Sequence, residues 1–137
     1  MGRPVRLTPE QQVFLTERHL ATLTTLRPDG SPHVVPVAFT WDPAGVARIT
    51  TSARSVKVRN IDEARAAGRP ARGALCQVSG GRWLTLEGEL EVCTEHPEVA
   101  EAERRHAVRY PRLDPDPTRV VLRLHVDRVL GSDYMTP

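Results

Sequence analysis

One segment gathers most of the groups that could hold a ligand. Thr50-Thr51-Ser52-Ala53-Arg54-Ser55-Val56-Lys57-Val58-Arg59-Asn60 carries hydroxyls at Thr50, Thr51, Ser52 and Ser55, and cations at Arg54, Lys57 and Arg59. It leaves a β-rich run and enters a stretch with helical spacing, so the free N–H groups of a helix start fall among these side chains. Several donors with fixed positive charge in one turn are what a phosphate requires. An ordinary capped helix with a solvated basic face is the competing reading of the same residues. Lys57 is also the only lysine among 19 basic residues, the other 18 being arginines. An arginine excess of that size fits a codon bias, so single arginines are not read as functional.

No other segment offers comparable chemistry. The serines lack a Gly-x-Ser-x-Gly elbow. Glu87 and Glu89 alternate onto one strand face, where a solvated face competes with a carboxylate pair. Gly80-Gly81 reads as a turn, not as a dinucleotide fingerprint. The five histidines are scattered without metal-ligand spacing. Cys76 and Cys93 form no Cys-x-x-Cys pair and read as small, buried, reduced hydrophobes. No catalytic side chain and no metal ligand is assigned. An enzyme built on this chain would take its reactivity from a bound cofactor.

The totals set the frame. The chain has 137 residues and a formal net charge of +2, with 39% hydrophobic residues. Its mean hydropathy is −0.37 and its pI is about 8.8. That length suits one domain spanning residues 1–137. The charge is too small to argue for nucleic acid, and an anionic small molecule fits it better. No apolar run reaches the length of a membrane span. The start, Met1 to Pro9, lacks the apolar stretch of a secretory signal, so the expected location is the cytoplasm.

Periodicity supplies the elements that must position the polar segment. Thr8, Pro9 and Gln11 form a helix start with a capping box, and the helix runs to Glu17. Strands are expected over His19–Leu26, His33–Trp41, Val46–Thr51, Ala71–Ser79, Arg82–Thr94 and Arg119–Leu130. The Arg27-Pro28-Asp29-Gly30 turn joins the first two as a hairpin. Ser55–Ala67 and Pro97–Tyr110 read as helices, the first with Val58, Ile61 and Ala64 on one face. Pro36, inside the second strand, demands an edge, a bulge or a missing ladder bond. Gly88 marks a bulge or bend. Six antiparallel strands with bends at Pro36 and Gly88 predict a mainly β or α+β fold, a small barrel with flanking helices.

Three motifs, taken in order, resemble a known superfamily. They are His19-Leu20-Ala21-Thr22-Leu23-Thr24-Thr25-Leu26 leading through Asp29-Gly30-Ser31-Pro32-His33 to Val37, then Thr50-Thr51 with Ser55, Lys57 and Asn60, then Trp83-Leu84-x-Leu86-Glu87-Gly88. Together they resemble the split β-barrel superfamily, which includes pyridoxamine 5'-phosphate oxidases and flavin/deazaflavin oxidoreductases. The opening strand and the Trp83 strand are most similar to the branch that uses coenzyme F420, whose members include biliverdin reductases.

The resemblance implies a homodimer with the cofactor in a groove at the interface. It carries phosphate binding to Thr50, Thr51, Ser52, Arg54, Ser55, Lys57 and Asn60. It lays the backbone of Val35, Pro36 and Val37 along the deazaflavin ring. It brings Gln77 and Trp83 to the cofactor from the partner subunit, although Trp83 reads equally as a core or interface anchor. The Asp133-Tyr134-Met135 tail would help to line the substrate groove. The implied reaction passes a hydride from reduced F420 to a conjugated acceptor, with biliverdin as a candidate. An FMN-dependent oxidase or reductase and a non-enzymatic cofactor carrier are the alternatives.

Overall fold

The computed structural model describes residues 5–111, 113–133 and 135. Tyr134, named above with the tail, lies outside them. The elements run α1 (Pro9–Thr16), β1 (Ala21–Leu26), β2 (Pro32–Val37), β3 (Thr40–Asp42), β4 (Val46–Ser52), α2 (Val56–Ala66), β5 (Arg72–Ser79), β6 (Arg82–Cys93), α3 (His96–Arg109) and β7 (Arg119–Gly131).

Helix α1 begins as its sequence requires. Gln11 N donates to Thr8 Oγ1 and Thr8 N donates to Gln11 Oε1, a reciprocal pair that satisfies two otherwise orphaned amides. Phe14 and Leu15 are then buried on its inner side. In α2, Val58, Ile61 and Ala64 are buried together, as their spacing implies.

All strand pairs are antiparallel, in the order β2-β1-β5-β6-β7-β4-β3. The sheet has seven strands where six were expected. The run His33–Trp41 is not one strand. Its first part pairs with β1 and its last part pairs with β4, at opposite edges of the sheet. Only Ala38 and Phe39 join those two edges. A sheet whose edges are two residues apart in the chain must curl until they meet, which makes the split barrel. A single flat strand could not serve both neighbours.

Two predicted devices appear where they were placed. Strand β2 is an edge, so Pro36 has no second neighbour to miss its N–H. The register of β6 on β7 slips between Glu87 and Gly88. A Cβ at Gly88 would lie 1.9 Å from the carbonyl oxygen of His125, so no side chain fits where β6 coils over β7.

The barrel interior is filled by Leu23, Ile49, Leu75, Leu84, Leu86, Leu90, Leu122 and Leu124, with Phe14, Phe39 and Ile61. Each such side chain contributes roughly 1.5–3 kcal/mol by leaving water. Helix α2 packs against β1 and β6, while α3 packs against β3, β4 and β7. Cys93 is buried, Cys76 is half-buried, and both are free thiols. Glu87 and Glu89 act on the Arg72 guanidinium, which Asp127 binds directly, so they belong to a cross-strand charge ladder.

Candidate functional site

Strand β4 delivers the hydroxyl-rich segment to the head of α2. Thr50 and Thr51 are half-buried at the strand end and Ser52 is exposed. The connection is pinned by its own backbone. Ala53 N donates to Thr118 O at 3.3 Å, and Ser55 N donates to Ser52 O at 3.1 Å. Ser52 Oγ accepts from Arg54 N. Ser55 is the N-cap, with its Oγ accepting from Val58 N at 3.4 Å. That leaves the amides of Val56 and Lys57 without an intrahelical acceptor.

The electrostatics of this turn are unusual for a helix start. Its first turn holds no acidic residue. Lys57 occupies the second helical position, where the macrodipole is positive and a cation is disfavoured. It is half-buried, and that burial pushes its ammonium below the ordinary lysine value. Among the described residues, Arg54, Lys57 and Arg59 form no ion pair, as is also true of Arg6, Arg18, Arg27, Arg65, Arg69, Arg109 and Arg128. Three cations without an ion pair thus lie in the segment that carries the two open amides.

The remaining expected site residues fall into two groups. Val35, Pro36 and Val37 lie on β2, with Pro36 exposed and Val37 buried. The start of that strand is close enough to α2 for the Lys57 charge to act on His33. Asn60 is 5% exposed, and its Nδ2 donates to Thr25 Oγ1 at 3.0 Å. It ties α2 to β1 and so sets the height of the cationic turn over the sheet. Gln77 is 1% exposed. Its Nε2 donates to Phe14 O at 2.9 Å and its Oε1 accepts from Arg109 at 2.5 Å, so its amide is committed inside the chain. Trp83 is partly exposed on the outer face of β6, beside Val78.

A hub that sequence reading did not single out holds the junction between β2 and β3. The Arg109 guanidinium is buried and donates to Glu17 O, Phe39 O and Gln77 Oε1. It also stacks over the rings of Phe39 and Tyr110. Tyr110 Oη donates to His19 O at 2.8 Å and accepts from Phe39 N at 3.4 Å. Both backbone polar groups of Phe39 are therefore fixed by the end of α3. No spacing rule links residues 70 positions apart, so the sequence held no signal for this contact.

In the turn at α2, Ser52, Ala53, Arg54 and Val56 are exposed. Two concavities of about 520 and 530 Å³ lie elsewhere, one between α1, β3 and α3 and one beside Trp83 and Ser132. Among the described residues there is no group of side chains that could hold a metal ion, and no helix is long and apolar enough to cross a membrane.

Known proteins place this geometry. A conserved hypothetical protein from Mycobacterium tuberculosis superposes with a TM-score of 0.77 at 21% identity, covering 98% of this chain and 89% of that one. A solved structure named F420 Reductase gives a TM-score of 0.69 at 24% identity, covering 87% and 94%. These two likenesses establish the fold. The F420H(2)-dependent biliverdin reductase of Mycobacterium tuberculosis (strain CDC 1551 / Oshkosh) is 48% identical over 128 residues, 93% of this chain and 89% of that protein. The family model for pyridoxamine 5'-phosphate oxidase matches residues 7–133. Matched over residues 7–133, the chain belongs to the pyridoxamine 5'-phosphate oxidase family.

Proposed function

We propose that this protein is an F420-dependent reductase that passes a hydride to a conjugated acceptor, biliverdin being the first to test. The carrying observation is the acid-free turn at the head of α2, with three unpaired cations. It fits the phosphate of such a cofactor, and the biliverdin reductase named above is 48% identical to this chain over 128 residues.

When bound, the deazaflavin supplies the hydride. The chain's own residues position it. Lys57, Arg54 and Ser55 would hold the phosphate with Thr50, Thr51 and Ser52, while the amides of Val56 and Lys57 donate alongside them. Asn60 keeps α2 seated on β1. The backbone of Val35, Pro36 and Val37 offers the free edge of β2 to the planar ring, and the Arg109–Tyr110 hub keeps that edge in place. Holding two planar molecules face to face removes much of the entropic barrier.

The open surface at α2 argues for a homodimer. A cofactor site buries most of its ligand, and one chain alone leaves this one uncovered. On the outer face of the sheet, exposed Val78 pairs with Trp83 and exposed Leu130 lies beside them, opposite Thr85, while exposed Val34 and Leu26 lie further along on β2 and β1; a second copy would bury this apolar surface. Trp83 would then meet the cofactor or anchor the interface. Two free thiols suit a reducing cytoplasm, and a net charge of only +2 argues against nucleic acid.

Titrating the protein with F420 and with FMN, then following absorbance of reduced F420 on adding biliverdin, tests the proposal. Tight F420 binding and loss of that absorbance are expected. Binding of FMN alone would favour the flavin reading, and F420 binding without turnover would make the protein a carrier. Sedimentation of Trp83→Asp, expected to be monomeric, tests the dimer.

A further inference from the structure

His33 sits where the two halves of the proposed site converge. Its side chain shares a face of β2 with Val35 and Val37, in register with Thr25 on β1. Thr25 Oγ1 accepts from Asn60, which lies one helical turn beyond Lys57. His33 Nδ1 is buried and has no hydrogen-bond partner among the described residues. Native structures rarely leave such an atom orphaned without a reason.

The charges that act on His33 are all positive. Burial, then Arg27 from the β1–β2 turn, then Lys57 from α2 push its imidazole below the ordinary histidine value. Asp29, the carboxylate of the same turn, is taken up by the amide and hydroxyl of Ser31. In the free protein the ring is therefore neutral at pH 7, with a nitrogen that lacks a partner. An anion beside Lys57 reverses both conditions. It supplies an acceptor for the orphaned nitrogen, and it offsets the cations that oppose a second proton.

We propose that His33 is a further residue of the anion site, and that its ring takes up a proton as the phosphate of the cofactor settles beside Lys57. This rests on the placement of the phosphate at α2. The proton comes from solvent and returns to it on release, so no other group is consumed. Binding is then linked to pH, tightening as pH falls through the neutral range, because the bound state holds more protons than the free one.

The test is calorimetric titration with F420 from pH 6 to 8, in two buffers of different ionisation heat. Wild-type protein is expected to take up a fraction of a proton per site, with affinity about 3–10-fold tighter at pH 6 than at pH 8. His33→Gln keeps a polar side chain of similar size and is expected to bind with a flatter pH dependence and less proton uptake. An identical slope in wild type and variant would overturn the proposal. Nuclear magnetic resonance of the wild-type His33 ring, with sulfate as a probe of constant charge, gives a second reading that needs no variant. Its titration midpoint should rise on sulfate addition, and an unmoved midpoint would also overturn the proposal. Lys57→Ala separates the two levels. If it abolishes F420 binding while His33→Gln leaves the slope intact, the phosphate placement stands and only the role of His33 fails.

Discussion

Lys57→Met should make the free protein more stable and the ligand-bound protein less so. In the free protein the ammonium sits at the second position of α2, against the positive end of the helix and with no carboxylate to pair with. A cation there costs about 0.3–1 kcal/mol, and its lowered pKa shows that partial burial adds to the penalty. Methionine keeps the length of the stem without the charge. The free variant should gain about 0.5–1 kcal/mol, equivalent to roughly 2–4 °C in a domain of this size. The sign of the pH effect follows. The unfolded chain binds the Lys57 proton more tightly than the folded one, so wild-type stability climbs as pH rises towards the ordinary lysine value, and the variant loses that rise.

With the cofactor the balance inverts. A charge-assisted hydrogen bond to phosphate is worth about 1.5–3 kcal/mol, so F420 affinity should fall about 10–150-fold. At a concentration of 100 times the wild-type Kd, ligand stabilises wild type by about 2.7 kcal/mol. A variant bound 100-fold more weakly gains only about 0.4 kcal/mol at the same concentration. Urea denaturation with and without F420, backed by direct titration, reads both arms. A variant that is less stable when free and binds F420 unchanged would show Lys57 to be a packing residue, and the phosphate would have to be placed elsewhere.

Other perturbations probe the scaffold. Hydrogen bonds from Arg82, then from His19, hold the Glu17 carboxyl down at about 2. The stability it adds is present above the ordinary carboxylate range and is lost as pH falls from 4.5 towards 2. Urea midpoints of Glu17→Gln should therefore fall less steeply over that window than those of wild type, with the difference shrinking in high salt because the pair is exposed. Gly88→Ala would set a Cβ against the His125 carbonyl. It should cost about 3 kcal/mol or more in urea denaturation, since neither backbone can give way. Arg109→Lys keeps the charge but not the planar fork that reaches Glu17, Phe39 and Gln77 together. A loss of about 2–3 kcal/mol is expected from the acceptors left unpaired, and a variant as stable as wild type would refute the hub.

Much of the molecule is legible in local chemistry. The capping box of α1 and the buried face of α2 depend on residues a few positions apart, so their physics is written in short windows of sequence; Pro36 and Gly88 announce an edge and a bulge by residue type, which the sheet order and the His125 carbonyl then complete. The cationic turn from Thr50 to Lys57 is local for the same reason, since strand end, cap and helix start are contiguous. Tertiary structure alone decided the rest. The break at Ala38–Phe39 exists because β2 and β3 pair with strands at opposite edges, which no window around residue 38 can encode. Asn60 and Gln77 have the residue types of ligand donors, but burial commits Asn60 Nδ2 to Thr25 and the Gln77 amide to Phe14 and Arg109. Arg109 looked like any other member of an arginine-rich chain. Its task follows from a fold that brings Glu17, Phe39 and Gln77 around one guanidinium, because buried carbonyls must find donors wherever the chain places them.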